Sequence, residues 1–254
     1  MSTIEKEFFL KHIIAICALL SLSFASHAKI VNNNNPEGFK AFKMDYAEMT
    51  DIANPNKLAW RVFYDKPSTG KDHLWFDAVK QGDLDTVKAM LAAGQDIEAK
   101  DTGSLDQTAL GWAAFIGYDD MVDYLISQKA NLWATDKGDV YNTLKSAVLG
   151  KNTKVVEKIY TLLKDQVDIN DQTLEDDGET LVMVAASNNR IETVKYLIGI
   201  GANVNISTTT QDKSLNSYDQ SPLTYACKRD LKEMQQLLIA HGAVNHRTKL
   251  AACD

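Results

Sequence analysis

Five short segments of this chain end alike, at nearly constant intervals, and that period constrains the fold more than any other feature. Asp96-Ile97-Glu98, Asn131-Leu132-Trp133, Asp168-Ile169-Asn170, Asn203-Val204-Asn205 and Val244-Asn245 each close a two-helix hydrophobic pattern. The first four begin at 96, 131, 168 and 203, so their spacings are 35, 37 and 35. A period of this size marks stacked supersecondary units, each too small to bury its own apolar face. The expectation is an all-α solenoid of about five helix-turn-helix repeats. Such a chain offers an extended surface for a partner, not an enclosed pocket for chemistry.

The stretch from Thr108 runs T-A-L-G-W-A-A-F-I-G-Y-D-D-M-V-D-Y-L-I-S-Q-K-A-N-L, and that from Thr180 runs T-L-V-M-V-A-A-S-N-N-R-I-E-T-V-K-Y-L-I-G-I-G-A-N-V-N. Ser221-Pro222-Leu223-Thr224-Tyr225-Ala226-Cys227 is a third copy of the opening, with proline in the first helical turn, where its fixed φ costs nothing. These segments resemble the ankyrin repeat, over residues 72–245. The resemblance implies short β-hairpin-like fingers between repeats and binding through finger tips and first helices. The residues argue the same way. Ala113, Ala114, Ala185 and Ala186 let helices approach closely. Val122, Leu125 and Ile126, like Val194, Leu197 and Ile198, give each second helix an apolar stripe. Gly94, Gly201 and Gly242 sit just past helix ends, where a left-handed residue is needed.

The repeats fall at about 72–103, 104–138, 139–174, 175–206 and 220–246, with a tail over 247–254. The third lacks the turn motif but keeps Leu144, Ala147, Val155 and Ile159. Residues 206–219, rich in Ser, Thr and Asn, stretch the fourth connection; long loops in compact folds are uncommon and often functional. In the fifth repeat Lys228-Arg229-Asp230 makes a short turn without glycine. Residues 29–71 form an N-terminal extension. Phe39, Phe42, Tyr46 and Met49 follow at helical spacing, which predicts a helix over 36–50 that folds on the first repeat and caps the stack.

The first 28 residues carry Lys6 and Lys11, an apolar run over 13–24 and the small-residue site Ser26-His27-Ala28. That run is shorter than the roughly 20 residues needed to span a bilayer, so it is expected to be a cleaved signal peptide and the mature chain is not expected to enter the membrane. A bacterial periplasm is the expected destination. Glu5 and Glu7 balance the two lysines, so the formal charge stays at −7 after cleavage. Acidic balance disfavours nucleic acid and anionic lipid and suits a cationic partner.

No catalytic, nucleotide-binding or metal-binding motif is present, and no cofactor is expected. His241, His246 and Cys253 match no metal-ligand spacing, and Glu175-Asp176-Asp177 is expected to be a solvated turn. Trp75 and Trp112 fall on core positions. Trp133 takes the place of a polar residue at the start of a finger, while Phe115 and Ile116 stand before the interhelix turn, where ankyrin repeats usually carry polar side chains. With Tyr118 and Tyr218 they are the candidate partner anchors, unless the neighbouring repeat or the N-terminal segment covers them. Cys227 and Cys253 leave two readings open: a disulfide that ties down the tail, or a buried free Cys227 and a loose tail, the latter favoured because Cys227 faces inward. The chain is therefore expected to be a non-catalytic, exported protein-binding module. An immunity protein that neutralises a basic toxin or effector enzyme is the leading role, and an accessory protein of a resident periplasmic enzyme, such as one in oxidative-stress defence, is the alternative.

Overall fold

The computed structural model describes residues 67–138 and 140–253. The signal-like segment and the helix expected over 36–50 lie outside the described residues. Within them run ten α-helices: α1 (His73–Gln81), α2 (Leu84–Ala92), α3 (Ala109–Ile116), α4 (Asp119–Ser127), α5 (Thr143–Leu149), α6 (Thr153–Leu163), α7 (Leu181–Ser187), α8 (Ile191–Gly199), α9 (Pro222–Lys228) and α10 (Lys232–Ala240). They form five consecutive pairs. The first helices pack in series, α1 on α3, α3 on α5, α5 on α7 and α7 on α9, while α4, α6, α8 and α10 make a second row. This is the all-helical solenoid that the period implies.

Local chemistry sets where the first helices begin. The Thr108 hydroxyl accepts from Gly111 N, Asn142 accepts from Lys145 N, and Ser221 with Thr224 forms a reciprocal capping box around Pro222. Each cap satisfies a first-turn donor that the helix itself leaves unpaired. Every residue of α3, α5 and α7 is buried, because each of these helices is covered by two neighbours and by its own second helix. The second helices bury one stripe only, Met121, Val122 and Leu125 in α4 and Val194 and Leu197 in α8. The third repeat, though degenerate in motif, packs as completely as the others: Leu144, Ala147, Val155 and Ile159 have no exposed surface.

In four of the five repeats the turn after the first helix uses a left-handed residue, while in the third Gly150 is extended at φ −75°. Gly82 and Gly117 supply it in the first two repeats, at φ +75° and +95°; Asn189 and Asp230 supply it in the fourth and fifth, at +55° and +53°. Short polar side chains tolerate that region best after glycine, so the fifth turn closes without one.

No strand occurs among the described residues. The fingers are loops closed at the base by single backbone hydrogen bonds, Asp101 N to Gln107 O at 3.0 Å, Asp136 N to Val140 O at 3.1 Å and Thr208 N to Gln220 O at 2.8 Å. Only the Asp101–Gln107 pair qualifies as an antiparallel bridge. Positions 101, 136 and 208 are equivalent in the period, so the stretched connection is a finger with an enlarged tip.

A buried ion pair lies within the first repeat, and Trp112 of the second repeat joins it. Lys80 Nζ lies 2.6 Å from Asp101 Oδ2, with both side chains shielded from solvent. Trp112 Nε1 donates to the same carboxylate oxygen at 3.0 Å, Lys80 donates to Ser68 Oγ at 2.9 Å, and its ammonium stands 4.7 Å from the centre of the Trp112 ring. Burial pushes the Lys80 pKa down and the Asp101 pKa up, while their contact opposes both shifts.

Candidate partner-binding site

The triplets that mark the period perform a structural task. Glu98 Oε1 accepts from Asn131 N at 2.7 Å, Asn170 Oδ1 from Asn203 N at 2.7 Å, and Asn205 Oδ1 from Val244 N at 2.9 Å. The third residue of each triplet thus reaches the first or second residue of the next. Trp133 occupies the same position, and an indole has a donor but no acceptor, so it cannot make this link. Its side chain is 39% exposed instead. The chain gives up one rung of its ladder and shows a tryptophan there.

Between successive fingers lies a cleft of about 500 Å³. Thr135, Asp136, Gly138, Val140 and Tyr141 form one wall, Leu174 with the acidic residues that follow it a second, and Leu215, Asn216 and Ser217 of the enlarged finger a third. Hydrogen bonds hold that finger in place: Thr209 N and Thr210 N donate to Asp177 O at 2.9 and 3.2 Å, and Thr208 Oγ1 donates to Ser217 O at 2.6 Å. Leu174 and Leu215, 43% and 44% exposed, stand on the cleft.

The cleft is acidic. Asp136, Glu175, Asp176, Asp177 and Glu179 line it. One cation stands behind them: Lys145, 1% exposed, ion-paired with Glu175 and 5.5 Å from the centre of the Tyr141 ring. Glu179 is 9% exposed and accepts from the Tyr225 hydroxyl. Burial, with the Asp177 charge adding to it, pushes the Glu179 carboxyl up to about 7. Burial also raises the Tyr141 and Tyr225 phenols, so both remain protonated donors at neutral pH.

The ankyrin-repeat family model matches this chain in three copies, over residues 75–173 and 144–249. The chain belongs to the ankyrin-repeat family. A comparison with curated proteins found no match. Ankyrin repeats are protein-binding modules, typically without catalytic activity, and this chain is one such module.

Its expected anchors divide sharply. Phe115, Ile116 and Tyr118 are 2%, 1% and 3% exposed, so the expectation that they meet a partner is corrected. Phe115 packs edge-on against Trp112 with centroids 6.1 Å apart, and the Tyr118 hydroxyl donates to Lys80 O at 2.8 Å. Gly150 passes so close that a Cβ there would lie 2.3 Å from Phe115 O. Tyr218 is half-buried on the enlarged finger, beside Lys213. Trp133 alone of the five is exposed. Trp75 and Trp112 sit in the core.

Cys227 and Cys253 are joined by a disulfide, with Cα atoms 5.4 Å apart, which overturns the favoured picture of a free thiol and a loose tail. The tail folds back because Asn245 Nδ2 donates to Cys253 O and Lys249 N donates to Asn245 O at 2.8 Å. Asp219, at the base of the enlarged finger, accepts from His246 Nε2 at 2.7 Å and Arg247 Nε at 2.5 Å. These contacts hold its carboxyl below the usual range, the His246 bond foremost. His246 and Cys253 are therefore engaged elsewhere than at a shared metal, and His241 caps the end of α10. Glu175 is not in a solvated turn as expected, since its pairing with Lys145 is largely buried.

The sequence reading did not find Lys80, Lys145 or Glu179. One signal was available: lysine at a first-helix position in a repeat whose neighbours carry Phe115 or Gly111 there requires an internal counter-charge.

Proposed function

We propose that this chain binds a protein with a cationic surface segment through the finger-side cleft, and that it is exported to serve as an immunity protein against a delivered toxin or effector enzyme. The carrying observation is the cleft itself, five carboxylates around about 500 Å³ with the exposed Leu174 and Leu215 on its wall. Carboxylates in a concave, partly desolvated wall attract Lys or Arg and speed encounter, while the flanking apolar side chains supply the contact area of a binding centre. An inhibitor needs a preformed surface and no chemistry of its own. Export is supported by the signal-like start and by the Cys227–Cys253 bond, a pairing that persists in oxidising compartments.

Competition between strains tests this reading. A cell lacking the gene should be killed by a toxin-delivering neighbour. Survival should return with the exported chain and not with a version lacking residues 1–28. Equal killing with and without the gene refutes the immunity role and favours an accessory protein, whose resident enzyme should then co-purify from unchallenged cells.

A further inference from the structure

The enlarged finger, residues 206–219, holds no helix or strand, so a few contacts at its two ends decide where it stands. Near its start Thr209 N and Thr210 N donate to Asp177 O. At its end Asp219 is held left-handed at φ +52°, a conformation that costs an aspartate energy and persists only where neighbours fix it. Those neighbours are in the C-terminal tail. His246 Nε2 and Arg247 Nε each donate to one carboxylate oxygen of Asp219, at 2.7 and 2.5 Å, and Arg247 Nη2 donates to the backbone oxygen of the same residue. Charge-assisted bonds of this kind, two of them from one guanidinium, fix direction as well as distance. Leu215, Asn216 and Ser217, which wall the acidic cleft, lie only two to four residues before Asp219.

The tail that supplies this grip has no helix or strand of its own beyond α10. One covalent bond sets its course: Cys253 is joined to Cys227 of α9, and His246 and Arg247 lie inside the ring so closed. Closed, the ring presents both donors to Asp219 as intramolecular partners, at an effective concentration on the order of millimolar. Opened, it becomes an end of the chain tied by a few hydrogen bonds, such as Asn245 Nδ2 to Cys253 O, and chain ends without an anchor fray.

We propose that the tail is a redox-controlled clasp on the enlarged finger: oxidation of Cys227 and Cys253 sets the third wall of the acidic cleft, and reduction releases it. The inference rests on the reading of that cleft as the site for a cationic partner. The step balances as a thiol–disulfide exchange. The two thiols yield two protons and two electrons to a disulfide oxidant, which leaves as a dithiol, and a reducing dithiol reverses the step. The helix-to-helix contacts of the stack do not pass through the tail, so the reduced chain keeps its helices and loses the position of the finger. An exported binder built this way takes its partner only after it has left a reducing compartment.

The test compares the full chain oxidised, the same chain in dithiothreitol, and H246A/R247A with its disulfide intact. Hydrogen exchange of the amides in 206–219 should quicken at least tenfold in the second and third, while α3 and α4 exchange as before. Affinity for hexalysine, the probe of the cleft, should fall at least fivefold in both, although losing the Arg247 charge would by itself favour a cation. Unchanged finger exchange in H246A/R247A overturns the clasp even where reduction quickens it, because the bond would then act through α9. If reduction unfolds the stack, as exchange in α3 and α4 reports, H246A/R247A decides alone. Equal hexalysine affinity in that variant and the oxidised parent leaves the cleft reading standing and overturns the control of binding. No hexalysine binding by the oxidised parent overturns the cleft reading and the control of binding with it.

Discussion

Glu179→Gln should make the protein more stable at pH 8 and leave it nearly unchanged at pH 5. Glu179 is 9% exposed, and burial beside the Asp177 charge raises its carboxyl from the ordinary 4.5 to about 7. A raised folded-state value means that the native state holds the proton more tightly than the unfolded chain does. The stabilisation is therefore complete below pH 4.5 and is lost as pH climbs through 7. The rise from 4.5 to about 7 corresponds to about 3 kcal/mol at 1.36 kcal/mol per pH unit. Glutamine keeps an oxygen for the Tyr225 hydroxyl and carries no charge, so the variant escapes this loss. Titrating groups far from Glu179 contribute equally to both proteins, so the stability difference between parent and variant reports Glu179 together with the charges coupled to it, Asp177 foremost. Urea unfolding of both at pH 5, 6, 7 and 8 should show the difference growing by about 2–3 kcal/mol in favour of the variant across that range. A difference that stays constant with pH refutes the argument, because Glu179 would then have the same pKa folded and unfolded.

Four further outcomes are expected. Trp133→Ala should weaken partner binding about 30-fold, or about 2 kcal/mol, with little change in Tm, whereas Phe115→Ala should cost about 3–5 kcal/mol of stability in urea unfolding, as a core truncation does. Thiol titration of the unfolded, unreduced chain should find neither Cys227 nor Cys253 free, and replacing both with serine should destabilise by about 3.5 kcal/mol for a loop of separation 26. Asp101→Asn should cost about 3–5 kcal/mol by stranding the buried Lys80, while the double change K80M/D101L should cost far less; equal losses in the two would show that stranding a buried charge is not the cause. Mass spectrometry of protein from its native host should find Lys29 at the N-terminus, and recovery of residues 1–28 in the mature protein would refute cleavage.

The repeat period, the helix openings and the apolar stripes were legible in the sequence because each is a local pattern repeated in register. A Thr, Asn or Ser cap three residues before its donor, or Val194 and Leu197 on one helical face, needs no knowledge of distant chain. Exposure was not legible in the same way. Phe115, Ile116 and Trp133 all depart from the family pattern, yet only the packing of neighbouring repeats decides which of them water can reach. Trp133 stays outside because it stands on a finger where an indole cannot take up the inter-repeat hydrogen bond, while Phe115 packs on Trp112 of its own helix with the turn at Gly150 close against its backbone. The acidic cleft draws on Asp136, on Glu175 to Asp177 with Glu179, and on Leu215 to Ser217, and the disulfide joins residues 26 apart through a tail that turns back on Asn245. The period along the chain determined that this protein is a stack of helix pairs, since each pair must bury its apolar face on the next. Which charges are buried, which aromatic is left to meet a partner and where the carboxylates converge were decided by contacts between repeats, which no single repeat encodes.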